Sequence, residues 1–354
     1  MHSPMTPRER FLAACRREPV DRAPAWMMRQ AGRYLPEYRA LREGREFLEM
    51  VHDPALAAEL TLQPIRRFGM DAAVIFCDIL VPPNAMGLDL EFVSGQGPVL
   101  SPVVRNREAV DALKTFDAPS ATAFLADALR LVRAELGEER ALIGFCGAPF
   151  TVASYMIEGQ SSRNFEHSKR LALDEPEVFE ALLAHIVECS IPYLEMQVEA
   201  GADAVQIFDS WGGALDAATY RRVLLPHVQR MVAALQSTGV PVILYVNGCS
   251  HLLEVLADSG ADVLGIDWRV NPAEAMTRVG SRVALQGNLD PTTLFAAPEV
   301  VAREARGVLD AFASQPGYVF NLGSGILPLT PVRSVEALWN EVLAGGVSSG
   351  VSTR

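Results

Sequence analysis

Within Pro24–Arg42, two arginines, Arg29 and Arg33, are set around Gly32, and Arg39 and Arg42 follow a few residues later. A glycine lets the backbone turn closely, so a loop here can aim two guanidinium groups at one ligand. Such a pair suits a ligand bearing several carboxylates or phosphates, because each planar fork can hold an anionic group through two parallel hydrogen bonds. The competing reading is a solvated helix face, on which clustered arginines are also common. A second group with chemical potential is Asp78, which follows Ile75-Phe76-Cys77 and precedes Ile79-Leu80-Val81. A carboxylate in an apolar collar needs a partner, either a cation or several donors on a ligand.

Composition bounds the ligand. The 354-residue chain has 43 acidic against 31 basic residues and a formal net charge of -12, which argues against a dedicated nucleic-acid binder. An anionic substrate meets a repulsive overall field, so any cationic site has to be local and focused. Five scattered cysteines (Cys15, Cys77, Cys146, Cys189, Cys249) contain no Cys-x-x-Cys pair. That suits a reduced cytoplasmic protein and offers no zinc or redox framework. Met1–Arg22 is charged and broken by prolines, unlike a signal peptide, and no run approaches the roughly 18 apolar residues of a membrane helix. A soluble, cytoplasmic protein without membrane or nucleic-acid partners is expected.

The elements that must position Arg29, Arg33 and Asp78 form one rhythm. Thr6 and Pro7 open a first helix, as N-cap and first helical residue. Short apolar runs at about 22–28, 72–77, 141–145, 204–208, 242–246, 263–266, 283–286 and 318–320 read as buried strands, most of them followed by helices. Helices are expected at about 54–68, 121–136, 176–184, 185–199, 217–236, 251–258, 272–278, 298–313 and 331–343. Residues 88–104 differ in texture: two extended halves flank Ser94-Gly-Gln-Gly-Pro98 and read as an inserted hairpin. About eight strand–helix units without a second compositional block favour an α/β single-domain (β/α)8 TIM barrel over residues 1–345, with an open doubly wound sheet as the alternative. Residues 1–5 read as a frayed start, and the Gly/Ser-rich stretch 346–354 as a disordered tail.

Chemistry in such a barrel sits at the C-terminal ends of the strands. The polar residues there are Arg29 and Arg33, Asp78, Tyr155, Asp209 and Ser210, Asn247, Asp267, Asn288 and Asp290, and finally Asn321 and Ser324. Each is also a plausible cap or turn residue, Asp267 and Asp290 most of all. Cys249 and His251 suggest a metal pair but lack a third ligand of matching spacing. His167, His185 and His227 fall in helical stretches. No Gly-x-Ser-x-Gly elbow, Walker loop or dinucleotide fingerprint is present.

The segment Trp26-Met-Met-Arg-Gln-Ala-Gly-Arg-Tyr-Leu-Pro-Glu-Tyr38 resembles the first signature of the uroporphyrinogen decarboxylase family, and Gly144–Gly159 resembles the second. Phe76–Leu80, Phe208–Gly212, Gln286–Pro291 and Asn321–Ile326 fall in the family's order. The resemblance implies a cofactor-free (β/α)8 barrel, usually a homodimer, that removes carbon dioxide from the four acetate arms of uroporphyrinogen III to give coproporphyrinogen III in tetrapyrrole biosynthesis. It implies that Arg29 and Arg33 bind substrate carboxylates, that Asp78 faces the pyrrole N–H groups, and that Tyr155 and Ser210 contact side-chain carboxylates. Arg29, Tyr155 and a bound water stay open as the proton donor.

An octacarboxylate accounts for arginines in an acidic chain, and its central N–H groups supply the donors Asp78 requires. Two departures from the family pattern stand out. Ser324 occupies the place of a substrate-contacting histidine, and the position before Gly248 is Asn247 rather than lysine. A zinc-dependent corrinoid methyltransferase of the same superfamily is a second reading, though Asn247-Gly248-Cys249 lacks its histidine. A non-catalytic tetrapyrrole-binding protein is a third.

Overall fold

A computed structural model describes residues 5–314 and 316–345. The expected frayed start (apart from Met5) and the expected disordered tail lie outside the described residues. Strands β1 (Ala72–Val74), β4 (Ala141–Gly147), β5 (Ala204–Asp209), β6 (Val242–Val246), β7 (Val263–Ile266), β8 (Ala284–Leu289) and β9 (Tyr318–Leu322) lie side by side in that order, all parallel. Every residue of β4 and β6 is buried, because the barrel core covers one face and helices the other. This is why the strands read as unbroken apolar runs rather than alternating ones.

Closure of the barrel depends on Pro24–Trp26. On one side Phe320 N–H donates to Pro24 O (2.8 Å) and Trp26 N–H to Phe320 O (3.3 Å); on the other, Asp71 N–H donates to Ala25 O (2.9 Å). The expected first strand is therefore present only as a bridge. Pro24 has no N–H to give, and the N–H of Ala25 goes to the Asp71 carboxylate (2.9 Å) instead of a neighbouring strand. The buried Asp71 carboxylate also accepts from Arg10 Nη1 (2.8 Å) and from Arg22 Nη1 and Nη2 (2.8 and 2.9 Å). Inside the barrel a polar thread crosses the core: Trp26 Nε1 donates to Gln286 Oε1 (2.8 Å), and Gln286 Nε2 to Gln206 Oε1 (3.0 Å).

Several boundaries match the sequence reading. Thr6 caps Pro7–Cys15 in a reciprocal box with Glu9, and Gly69, at φ 69°, ends the helix Pro54–Phe68. The insertion is an antiparallel hairpin of β2 (Asp89–Val93) and β3 (Gly97–Ser101). Others differ. The two helices expected over 176–199 are one, Pro176–Glu199, because nothing at Ala184–His185 interrupts the backbone ladder and Leu182, Leu183, Ile186 and Val187 bury a continuous stripe. Strands β8 and β9 run further than expected, pairing Asn288 with Asn321, so both asparagines are strand residues.

Candidate active site

Arg29 is carried on a loop bracketed by the last strand. Met28 N–H donates to Asn321 Oδ1 (2.9 Å) and Ile326 N–H to Met28 O (3.0 Å). Arg29 itself has φ 61°, a left-handed conformation that an arginine adopts only at a cost of about 1–3 kcal/mol. Its side chain lies against Gly325, where an added Cβ would stand 2.5 Å from Arg29 Cδ and 2.9 Å from Cγ. Arg29 is exposed and pairs with no carboxylate among the described residues. Gly325→Ala is expected to push the guanidinium aside and lower kcat/KM about tenfold, the scale of one misplaced contact. Steady-state kinetics and a thermal melt check this, the melting temperature staying close to wild type.

Asp78 follows β1 and is half-buried, with one carboxylate oxygen accepting from Leu80 N–H (2.9 Å). Burial in the apolar collar pushes its pKa up, while the Leu80 N–H and the Arg29 charge pull it down. No cation among the described residues forms an ion pair with it. Tyr155 lies on the helix Pro149–Glu158 after β4. Burial and then the Asp78 charge push its phenol up to about 12, with Arg29 opposing. Arg29, Asp78 and Tyr155 thus share one electrostatic neighbourhood.

Ser210 follows β5 on a rigid turn. The neighbouring Trp211 packs at a tilt against Tyr155, ring centroids 4.1 Å apart, and against Phe165 at 5.0 Å. Beneath it, buried Asp209 accepts from the hydroxyls of Thr151 (2.7 Å) and Tyr220 (3.3 Å), and burial raises its carboxyl to about 6. Thr151 Oγ1 accepts from Trp211 N–H (3.2 Å), and Ser210 O from Asn247 Nδ2 (3.3 Å). Ser324 lies beyond β9, next to Gly323, whose carbonyl accepts from the Tyr245 phenol (3.0 Å).

The remaining strand-end residues have structural partners. Asp290 caps Pro291–Phe295, and Asp267 accepts from Cys249 N–H (2.8 Å) and Arg269 N–H (2.9 Å). Asn288 ties down Asp267 O (3.0 Å) and Val270 O (2.8 Å). Arg33 is exposed and lines a surface depression with Arg39, Ala40, Arg42 and Glu43; no described contact joins it to Asp78 or Tyr155. Arg39 clasps the loop, its Nη1 donating to Arg33 O (2.8 Å) and Tyr34 O (3.1 Å). His251 Nε2 is engaged with Leu215 O (2.7 Å) and Cys249 is buried. Sequence reading did not single out Gly325 as the surface under Arg29, Trp211 as the partner of Tyr155, or Asp71. Only Trp211 carried a signal, as a large aromatic in a strand-end turn.

A closed parallel barrel whose strand ends bring together an arginine without a carboxylate partner among the described residues, a half-buried carboxylate and a neutral phenol has the architecture of a (β/α)8 enzyme. The uroporphyrinogen decarboxylase (URO-D) model matches residues 6–344. The uroporphyrinogen decarboxylase of Alkalilimnicola ehrlichii is 48% identical over 339 residues, covering 94% of this chain and 93% of that protein. The one from Streptomyces avermitilis is 49% identical over 328 residues, covering 93% and 92%. This chain belongs to the uroporphyrinogen decarboxylase family. A methyltransferase from Methanosarcina mazei superposes with a TM-score of 0.82 over 96% of this chain and 98% of that one; at 23% identity it speaks for the fold alone.

Proposed function

We propose that this chain is a uroporphyrinogen decarboxylase that converts the four acetate arms of uroporphyrinogen III to methyl groups, giving coproporphyrinogen III in tetrapyrrole biosynthesis. The observation that carries the reading is Asp78: a half-buried carboxylate with no ion-paired cation among the described residues, close enough to Arg29 to feel its charge and to Tyr155 to raise its phenol. A ligand that is donor-rich at its centre and anionic at its rim fits that arrangement. The pyrrole N–H groups bind Asp78, while Arg29, Arg33, Tyr155, Ser210 and Ser324 receive side-chain carboxylates.

The reaction needs an electron sink. Protonation of the pyrrole carbon next to the one bearing the acetate arm makes an iminium-like ring conjugated with that arm. The bond from the arm's methylene to its carboxylate then breaks, and the electron pair neutralises the ring as carbon dioxide leaves. A proton added to the resulting methylene gives the methyl group, and loss of the ring proton restores the pyrrole. The substrate thus does what a bound electron-sink cofactor does in other decarboxylases. Ionised Asp78 stabilises the developing positive charge, a fixed charge aimed at the place where charge appears. A guanidinium holds its proton too tightly to be a good acid, so Arg29 acts as a cation on the carboxylate. The proton comes from Tyr155 or a bound water.

Anaerobic incubation with uroporphyrinogen III, followed by chromatography of the oxidised porphyrins, tests the reading. Hepta- through tetracarboxylate products are expected; their absence refutes it. The methyltransferase reading gains nothing from the site, since Cys249 and His251 are engaged in packing and backbone contacts. We read the protein further as a cytoplasmic homodimer, and light scattering on the purified protein tests the dimer.

A further inference from the structure

Arg269 is the residue on which we infer a new role: it is the rim cation that receives a substrate carboxylate on the side of the mouth where Ser324 supplies none. The inference rests on the reading above and concerns its substrate contacts. Arg269 follows β7, and its guanidinium lies 3.9 Å over the ring of Trp268. The backbone of Trp268 packs so closely on Gly323 that an added Cβ there would stand 2.3 Å from Trp268 N, one residue from Ser324. On its other side Arg269 Nη1 donates to Asn247 Oδ1 (3.2 Å), and Asn247 Nδ2 donates to Ser210 O (3.3 Å). A continuous path of contacts therefore runs along the rim from Ser324 through Arg269 to Ser210.

The guanidinium is held without being used up. Its ring stacking and the turn Asp267–Val270, pinned by Asn288, restrict where it can go. Of its five N–H donors, only those of Nη1 have partners among the described residues, Asn247 and Asp267 (3.1 Å). Half of the side chain is open to solvent. Asp267, whose one ion pair among the described residues is with Arg269, keeps two backbone N–H donors when that cation is replaced. A stacked, oriented arginine whose Nε and Nη2 have no partner among the described residues can receive a carboxylate through two parallel hydrogen bonds.

Arg269→Gln tests this. Replacing the exposed cation is expected to raise KM for uroporphyrinogen about three- to tenfold, with kcat within about twofold and the melting temperature near wild type. Arg269→Lys should recover part of the loss, and Ser324→His in the Arg269→Gln background should recover more, by returning a donor to the same side. The salt dependence of KM should flatten in Arg269→Gln, a change that a packing role does not produce. Unchanged KM and salt dependence, or a KM change that merely tracks a fall in melting temperature, overturns the inference. Wild-type protein that produces no decarboxylated porphyrin refutes the functional reading instead. In that event fluorescence titration with uroporphyrin, the oxidised octacarboxylate, still decides whether Arg269→Gln weakens binding.

Discussion

Asp78→Asn is expected to lower turnover of uroporphyrinogen by about 100- to 1,000-fold, the scale of losing a fixed charge aimed at a transition state, while raising the midpoint of unfolding at pH 7. The amide keeps the shape and can still accept the Leu80 N–H at 2.9 Å. It cannot offset positive charge on the pyrrole ring. The gain in stability follows from the direction of the pKa shift. Burial lifts the folded-state value of Asp78 above its ordinary 3.8, so the folded protein resists ionisation more than the unfolded chain does. Stability contributed by this group is present at low pH and is lost as pH rises from about 3.8 through the raised value. Asparagine removes that loss, so the mutant's advantage should disappear below about pH 3.8. Kinetics together with urea titrations at pH 7 and pH 3.5 check both halves. A variant retaining near-full activity removes Asp78 from the mechanism.

Asp71→Ala should cost about 3–5 kcal/mol, the usual penalty for leaving buried charge without its partner. Asp71 is fully buried, and Arg10 and Arg22, whose side chains are 7% and 13% exposed, converge on it. Alanine leaves Arg22 without its carboxylate partner, leaves Arg10 with Asp21 alone, and orphans the Ala25 N–H. That N–H lies in the seam between Pro24–Trp26 and β1, so the barrel loosens where it closes. Because Met28 and Arg29 follow directly, activity should fall as well. Urea-induced unfolding followed by circular dichroism measures the cost; a loss below about 1 kcal/mol would show that the seam is held mainly by its backbone bonds.

The barrel was legible because parallel strands buried on both faces leave apolar runs, and their ends leave polar residues. Asp78 could be picked out because a lone carboxylate among Ile75, Phe76, Ile79 and Leu80 is costly unless it has work to do. The hairpin and the ends of the first helices followed from Gly, Pro and Thr6. Asp71 was not legible: a polar residue just before a strand looks like any loop residue until its side chain is seen standing in for a strand's hydrogen bond. Direction was hidden too. Nothing in the spacing of Arg29, Arg33, Arg39 and Arg42 says which guanidinium turns inward, because an arginine at positive φ has no sequence signal. Asn321 was visible as a polar strand-end residue, but its aim at the backbone of Met28 was not.

That last contact joins residues 293 apart in the chain. The loop that presents Arg29 is synthesised well before its bracket, Asn321 to Ile326. Closing so wide a span is entropically expensive and comes late in folding. A nascent chain still short of β9 therefore carries Arg29 on an unanchored loop, and the geometry of that loop is set only once β9 and the turn to Ile326 have been made.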